Sequence, residues 1–146
     1  MKLCIKRFYE LSVEELYAIL KLRVNVFVVE QNCPYPELDD RDQEAVHVWL
    51  EDMNGIHAYL RIMDRGVESE HVSIGRVIAA EHHKGLGTRI LSEGVRIAKD
   101  MFQADTVYLE AQVYSIPFYQ SLGFEVVSEE FLEDGIPHVK MIRKEA

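Results

Sequence analysis

A β-branched segment, a glycine-containing loop and an amphipathic segment follow one another within residues 71–102. The sequence at 71–79 (His-Val-Ser-Ile-Gly-Arg-Val-Ile-Ala) favours a strand. In the last part of this stretch, apolar side chains recur at the spacing of a helix with one buried face: Leu86, Ile90, Leu91, Val95, Ala98 and Phe102. The loop at 82–87 is therefore expected to join the end of a strand to the start of a helix.

The rest of the chain predicts further strands and helices in the order β-α-β-β-β-α-β-α-β-β. Ser12 and Glu15 form a capping box that begins a first helix, expected to end near Val28. Asn54-Gly55 and Asp134-Gly135 are hairpin signals. Strands are predicted at 3–8, 46–51, 56–64, 71–79, 106–112, 124–131 and 138–143, a loop at 30–45, and a short helix at 116–122 before Gly123. This order predicts an α/β (α+β) fold whose mixed, mostly antiparallel sheet carries helices on its faces.

Length and charge restrict the class of protein. The 146 residues predict a single domain over 1–146. A net charge of −9 disfavours nucleic-acid binding and would attract cations. Cys4 and Cys33 form no CxxC pair, so a disulfide framework is excluded and a cysteine zinc site is not expected. No apolar run reaches the length of a membrane span, and the charged start is unlike a signal peptide, so we expect a cytoplasmic protein without membrane contact.

The glycines of the 82–87 loop free backbone N–H groups at a helix start, which favours binding of a phosphate or pyrophosphate. Lys84 and Arg89 add positive charge there. A strand-to-helix turn without a ligand explains the same residues equally well. The P-loop, GxSxG and HExxH motifs are absent, and Ile90 stands where a dinucleotide fingerprint needs its third glycine.

Two segments carry a family resemblance. Residues 119–124 (Tyr-Gln-Ser-Leu-Gly-Phe) match a Y-x-x-x-G-F motif, and Gly85 and Gly87 match the glycines of [Q/R]xxGx[G/A]. Together they resemble the GCN5-related N-acetyltransferase (GNAT) family, and residues 26–34, 111–112 and 134–138 look like its ElaA-type branch. Two positions depart from the family pattern. His82 stands at the Gln/Arg position unless Lys84 takes that role, and Gln112 replaces a frequent Asn.

The resemblance implies that acetyl-CoA is the co-substrate. The strands at 71–79 and 106–112 are expected to splay, with the pantetheine arm between them and the diphosphate on the amides of residues 83–88. The cofactor-binding residues implied are Val77, Ile78, Ala79, His82, His83, Lys84, Gly85, Leu86, Gly87, Thr88, Arg89, Gln112 and Phe118. No metal is expected.

The resemblance also implies direct attack of a primary amine on the thioester. The amine must lose a proton, since an alkylammonium has a pKa of about 10.4, the oxyanion needs a donor, and the thiolate needs an acid. The resemblance gives the acid role to Tyr119, although an aromatic core residue explains it as well. His138 is the first candidate base and Glu30 the second. Glu110 could act through water, but a structural salt bridge is favoured for it, and ordered water alone would also serve.

Several alternatives stay open. A non-catalytic acyl-CoA-binding sensor, or an interaction protein with an empty cleft, would share the fold. The acceptor can be a small-molecule or a peptide amine, and edge strands would permit a homodimer. The acids at 37–44 either draw a cationic acceptor or, more often in such runs, are merely solvated. Arg23 and Arg76 are expected to form buried pairs with Asp or Glu, with acceptor binding as the second reading.

Overall fold

A computed structural model describes residues 1–80 and 85–145, and within them the chain forms one mixed sheet. The described strands are β1 (Lys2–Arg7), β2 (Val46–Asp52), β3 (Gly55–Met63), β4 (Val72–Ala79), β5 (Thr106–Gln112), β6 (Glu125–Val126), β7 (Phe131–Glu133) and β8 (Ile136–Lys144). Their order in the sheet is β1-β2-β3-β4-β5-β8-β6, and β7 pairs with β8. Neighbours are antiparallel except β4 and β5, which are parallel. This confirms the mixed, mostly antiparallel sheet.

Helices lie on both sides of the sheet. They are α1 (Val13–Arg23), α2 (Leu86–Phe102) and α3 (Ile116–Ser121), with 3-10 turns at Phe8–Glu10, Asp42–Glu44 and Val113–Ser115. The predicted capping box is present, since the Glu15 N–H donates to Ser12 Oγ at 3.0 Å and the Ser12 N–H donates to Glu15 Oε1 at 2.8 Å. None of the helices in the described ranges is long and apolar enough to span a bilayer.

The first helix does not continue as an α-helix to Val28. The α-helix ends at Arg23 and the chain goes on as a π-helix over Val24–Glu30. This segment (Val-Asn-Val-Phe-Val-Val-Glu) is rich in β-branched side chains, which crowd the preceding turn of an α-helix. Apolar spacing alone could not separate the two helix types.

The predicted strand at 124–131 is wrong as one element. β6 pairs with the end of β8, and β7 pairs with its start. Between them Val127 N–H donates to the Lys140 carbonyl, and Lys140 N–H donates to Ser128 Oγ, so a side chain takes the place of one ladder bond. The hairpin turn is confirmed, because Asp134 (φ 51°) and Gly135 (φ 79°) both adopt the left-handed region that such a turn requires.

The core has one part on each face of the sheet. α2 covers the larger part, and its Gly94 is explained there, since a Cβ at that position would lie 2.7 Å from Leu60 Cδ2. α1 covers the smaller part through Ile19, which packs with Trp49 and Tyr59. β4 and β5 therefore lie inside the fold, and any opening between them leads into the interior.

Candidate active site

β4 and β5 are joined over only part of their length. Their parallel pairing is confined to Val72 with Val107 and Ser73 with Tyr108. Farther along, β4 stays on β3, where three steps on β4 match two on β3 because of a bulge. Arg76 lies at this bulge with a left-handed φ of 54°. The bulge bends β4 away from β5 and opens the sheet, as the family resemblance implied.

The far part of β4 has an unpaired edge that faces this opening. Ala80 N–H donates to the His57 carbonyl on β3 at 2.8 Å. Because backbone groups alternate in direction along a strand, Ala79 directs its own N–H and C=O toward β5. Val77 shares that orientation. An extended ligand could therefore bond to β4 as an added strand.

The opening forms a cleft of about 1380 Å³. It brings together many of the side chains that the sequence analysis singled out. The cleft-lining residues among them are Glu30, Val77, Ile78, Ala79, Gly87, Gln112, Phe118, Tyr119 and His138. Leu86 is buried in the core, and Gly85, Thr88 and Arg89 are on or beside the first turn of α2 outside this lining. His82, His83 and Lys84 lie outside the described residues.

The N-terminus of α2 approaches the cleft without a side-chain cap. Gly85 is the N-cap residue with φ 76°, and the Arg89 N–H donates to the Gly85 carbonyl at 3.0 Å. The three preceding helical N–H groups have no partner within the helix. Gly87 permits close packing at this point, because a Cβ there would lie 3.3 Å from Phe118 Cζ and 3.6 Å from Ala79 Cβ. This terminus is suited to an anion.

Tyr119 stands on α3, whose start is set by a proline in its first turn. Its ring meets Phe118 and Phe124 edge to face, at centroid distances of 5.2 and 6.0 Å. The hydroxyl forms no hydrogen bond with any residue of 1–80 or 85–145. Burial raises the pKa of Tyr119 to about 12, so the phenol keeps its proton near neutral pH. The group is a hydrogen-bond donor available to a ligand.

His138 lies near the start of β8, directly opposite Gln112 of β5. Its Nδ1 is 2.7 Å from the Ile136 carbonyl oxygen, which can only accept, so Nδ1 carries a proton. The Nε2 of the neutral ring is then unprotonated. It lies 3.7 Å from Glu133 Oε2, and the Phe131 ring stacks on the imidazole at 6.1 Å. The second candidate base, Glu30, is exposed at the end of the π-helix on the cleft rim.

The salt bridge expected for Glu110 is wrong. Within the described part of the chain, its carboxylate pairs with no cation and instead accepts a hydrogen bond from the Tyr108 hydroxyl at 2.6 Å. Glu133, which the sequence analysis missed, lies close by. Partial burial and the neighbouring Glu110 raise the pKa of Glu133, whose side chain is 46% exposed. Burial and the hydrogen bond to Glu110 raise the pKa of Tyr108.

The expectation of a buried pair is confirmed for Arg23, whereas Arg76 is half-buried and pairs with the buried Glu37. Arg23 contacts Glu37 at 2.7 Å and Asp42 at 2.6 Å, while Arg76 Nε lies 2.5 Å from Glu37 Oε1. Glu37 is 4% exposed and Asp42 is 7% exposed. The expectation that the 37–44 acids are merely solvated is therefore wrong for these two, since their charge is needed to balance buried arginines.

Arg61 completes this network and was missed in the sequence. It lies in β3, is 2% exposed, and donates to Asp39 and Asp42 at 2.9 Å each. An arginine in an apolar strand is the available signal, but its partners are some twenty residues away in a loop. Across residues 1–80 and 85–145, no group of three or more His, Cys, Asp and Glu side chains is placed to hold a metal ion.

A model of the acetyltransferase (GNAT) domain matches residues 17–145. The chain belongs to the GNAT family. This GNAT protein is 43% identical over 141 residues to the protein ElaA of Escherichia coli, and the aligned region covers 92% of this chain and 91% of that relative. Its branch is therefore ElaA-like, as the sequence resemblance implied.

Solved structures agree with this placement. An acyl-CoA N-acyltransferase from Pseudomonas aeruginosa superposes with a TM-score of 0.92 at 37% identity, and E. coli ElaA with 0.90 at 39%, each covering 98% of this chain and 99% of the other. An aminoglycoside 6'-N-acetyltransferase complexed with coenzyme A has a TM-score of 0.71 at 12% identity, covers 97% of this chain and 96% of the other, and shares the fold alone. Family and fold support acyl-CoA-dependent acyl transfer.

Proposed function

We propose that this GNAT protein is an N-acetyltransferase that moves acetyl from acetyl-CoA to a primary amine. The observation that carries the proposal is the cleft between β4 and β5, which has Tyr119 and His138 in its lining. One strand edge of this cleft is unpaired, and the uncapped start of α2 approaches it at Gly87. A thioester arm, a phosphate group and an amine each have a matching surface in this one region.

Coenzyme A would bind by its backbone-like arm and its diphosphate. The amide groups of the pantetheine arm can pair with the free N–H and C=O of Val77 and Ala79, as an added strand does. The diphosphate can accept from the N–H groups of Leu86, Gly87 and Thr88, where the helix dipole also favours negative charge. Phe118 packs beside Gly87 and would border the arm.

The transfer proceeds in this proposal by direct attack. The neutral amine nitrogen forms a bond to the thioester carbon, and the carbon–sulfur bond breaks as the tetrahedral intermediate collapses. The Tyr119 hydroxyl, which its raised pKa keeps protonated, donates a hydrogen bond to the sulfur as it leaves as the thiolate. The nitrogen loses one proton, which His138 Nε2 accepts, since Nδ1 is already held by Ile136. Glu30, on the rim, would contact the acceptor.

Thiol release from acetyl-CoA over a panel of primary amines tests this proposal. We expect amine-dependent release of free coenzyme A and an acetylated amine of matching amount. His138→Gln should lower kcat, because the attacking nitrogen then lacks the ring nitrogen that accepts its proton. Tight binding of acetyl-CoA with no turnover on any amine would contradict the proposal and favour an acyl-CoA sensor.

A further inference from the structure

Two carboxyl groups meet on the same side of the cleft as His138. Glu110 comes from β5 and Glu133 from β7. Glu133 Oε2 lies 3.7 Å from His138 Nε2, and His138 is paired with Gln112, which is two residues after Glu110 on the same face of β5. Tyr108 donates its hydroxyl proton to Glu110 Oε2 at 2.6 Å. Both acids line the cleft. We call them the Glu110–Glu133 pair.

No fixed cation balances this pair within residues 1–80 and 85–145. Lys140 lies directly across from Glu110 in the β5–β8 register, yet its side chain is exposed and forms no ion pair with either acid. His138 approaches Glu133 at 3.7 Å. Asp134 adds a further negative charge nearby. Two carboxylates that share a site repel each other, so a bound cation would relieve this repulsion.

A second observation in the same cleft points independently to a ligand. The Ser73 hydroxyl is buried, with the residue only 1% exposed, and it has no hydrogen-bond partner in the described structure. The β4–β5 register places Ser73 beside Tyr108, and both residues line the cleft. Buried hydroxyls are nearly always hydrogen-bonded. Ser73 therefore offers an acceptor to an N–H donor that enters next to the Glu110–Glu133 pair.

We infer that the Glu110–Glu133 pair binds a second ammonium group of the acceptor, so that aliphatic diamines are the preferred acceptor class. The attacking nitrogen must be neutral, and carboxylates beside it would hold its proton by raising its pKa. The pair is better suited to a group that stays charged throughout the reaction. The second ammonium group takes no part in bond making. This inference rests on the proposed N-acetyl transfer.

Three probes have the same four-carbon length and one primary amine, and they differ in the charge at the other end of the chain: 1,4-diaminobutane is cationic there, n-butylamine is neutral and 4-aminobutanoate is anionic. We expect kcat/KM to be at least about tenfold higher for the diamine than for butylamine, mainly through KM, since a charged hydrogen bond has that order of effect. The anionic probe should be the poorest. Glu110→Gln and Glu133→Gln should bring the diamine-to-butylamine ratio toward one. Glu130→Gln, an exposed acid outside the cleft lining, should keep the wild-type ratio.

The outcomes separate this inference from the proposed function. If amines are acetylated but the wild-type ratio is near one, or both glutamine variants keep it, the inference is overturned and the acetyl transfer stands. Calorimetry of 1,4-diaminobutane on the protein loaded with coenzyme A gives a readout without turnover. Binding that needs the pair, with no amine acetylated, would support the cation site and refute the enzyme. Equal binding of 1,4-diaminobutane to the wild type and to both glutamine variants would overturn the inference.

Discussion

Arg23 and Glu37 form a buried ion pair, with Arg23 Nη2 2.7 Å from Glu37 Oε2 and side-chain exposures of 0% and 3%. The same carboxylate contacts Arg76 at the bulge of β4. Glu37 thereby joins α1 to the point at which β4 turns away from β5. The loop that follows the π-helix is thus a structural support of the cleft.

Glu37→Gln should lower the free energy of unfolding by about 3 kcal/mol, because it leaves the buried guanidinium of Arg23 and the half-buried one of Arg76 short of negative charge. Denaturant unfolding measures the change. Glu44→Gln is the matched control, since Glu44 is an exposed acid of the same loop. Equal stability of the two variants would contradict the structural role of Glu37.

Acid should destabilise the protein through the same network. Burial opposes ionisation of Asp39, but the hydrogen bonds and charge of Arg61 outweigh it and hold the pKa of this carboxyl well below its usual range. The pKa of Asp42 is likewise lowered, by Arg23 and Arg61 against the effect of burial. The unfolded chain then binds protons more readily than the folded one as pH falls below about 4, so stability is full above that pH and is lost below it.

The test is the unfolding free energy measured between pH 7 and pH 2. We expect a fall that begins below about pH 4 and is shallower in Asp39→Asn, whose side chain no longer titrates. Asp64→Asn, at a half-exposed acid whose nearest cation is 3.8 Å away, should keep the wild-type slope. An Asp39→Asn curve parallel to wild type would show that the Arg61 contact does not govern this dependence.

Local chemistry made much of the fold predictable. The capping box at Ser12 and the turn at Asp134 depend on neighbours within a few residues, and both are found as predicted. The order of helices and strands along the chain followed from the alternation of such local signals. The π-helix after Arg23 was missed because apolar spacing does not separate it from an α-helix. The split of the predicted 124–131 strand was missed because it depends on how the two parts pair with β8.

The sequence motifs indicated which residues meet in the cleft, but they did not indicate its charged contacts. Tyr119 and Gly87 lie in short motifs, and the cleft contains both. Arg61, Glu110 and Glu133 act through partners that the sequence does not reveal. In the sequence, Glu133 is an ordinary acid next to a turn. Only the structure shows that β7 places it on the cleft with Glu110. Charged contacts between residues distant in the sequence could therefore be identified only from the tertiary structure.

Gly85→Ala should raise the KM for acetyl-CoA several-fold. A Cβ in the left-handed region costs roughly 1 kcal/mol, and relief of that strain would shift the N–H groups at the start of α2. Gly66→Ala is the control, since Gly66 has φ 89° and open space around it in a turn outside the cleft lining. Equal effects of both substitutions on the KM for acetyl-CoA would contradict the proposal that the start of α2 binds the diphosphate.

Tyr119→Phe should lower kcat by roughly 100-fold or more while the melting temperature changes little, because the hydroxyl is a donor to the leaving sulfur and the ring remains in place. Steady-state thiol release measures the first quantity and thermal unfolding the second. Tyr17→Phe, which removes a largely exposed hydroxyl on α1, should match wild type in both. Full turnover by Tyr119→Phe would reject the acid assignment.

A crystal structure of the protein with coenzyme A tests the central claim most directly. The account predicts density for the pantetheine arm between β4 and β5, paired with the backbone of Val77 and Ala79, and the diphosphate on the N–H groups of Leu86, Gly87 and Thr88. Coenzyme A bound elsewhere, or β4 and β5 closed against each other along their whole length, would contradict it.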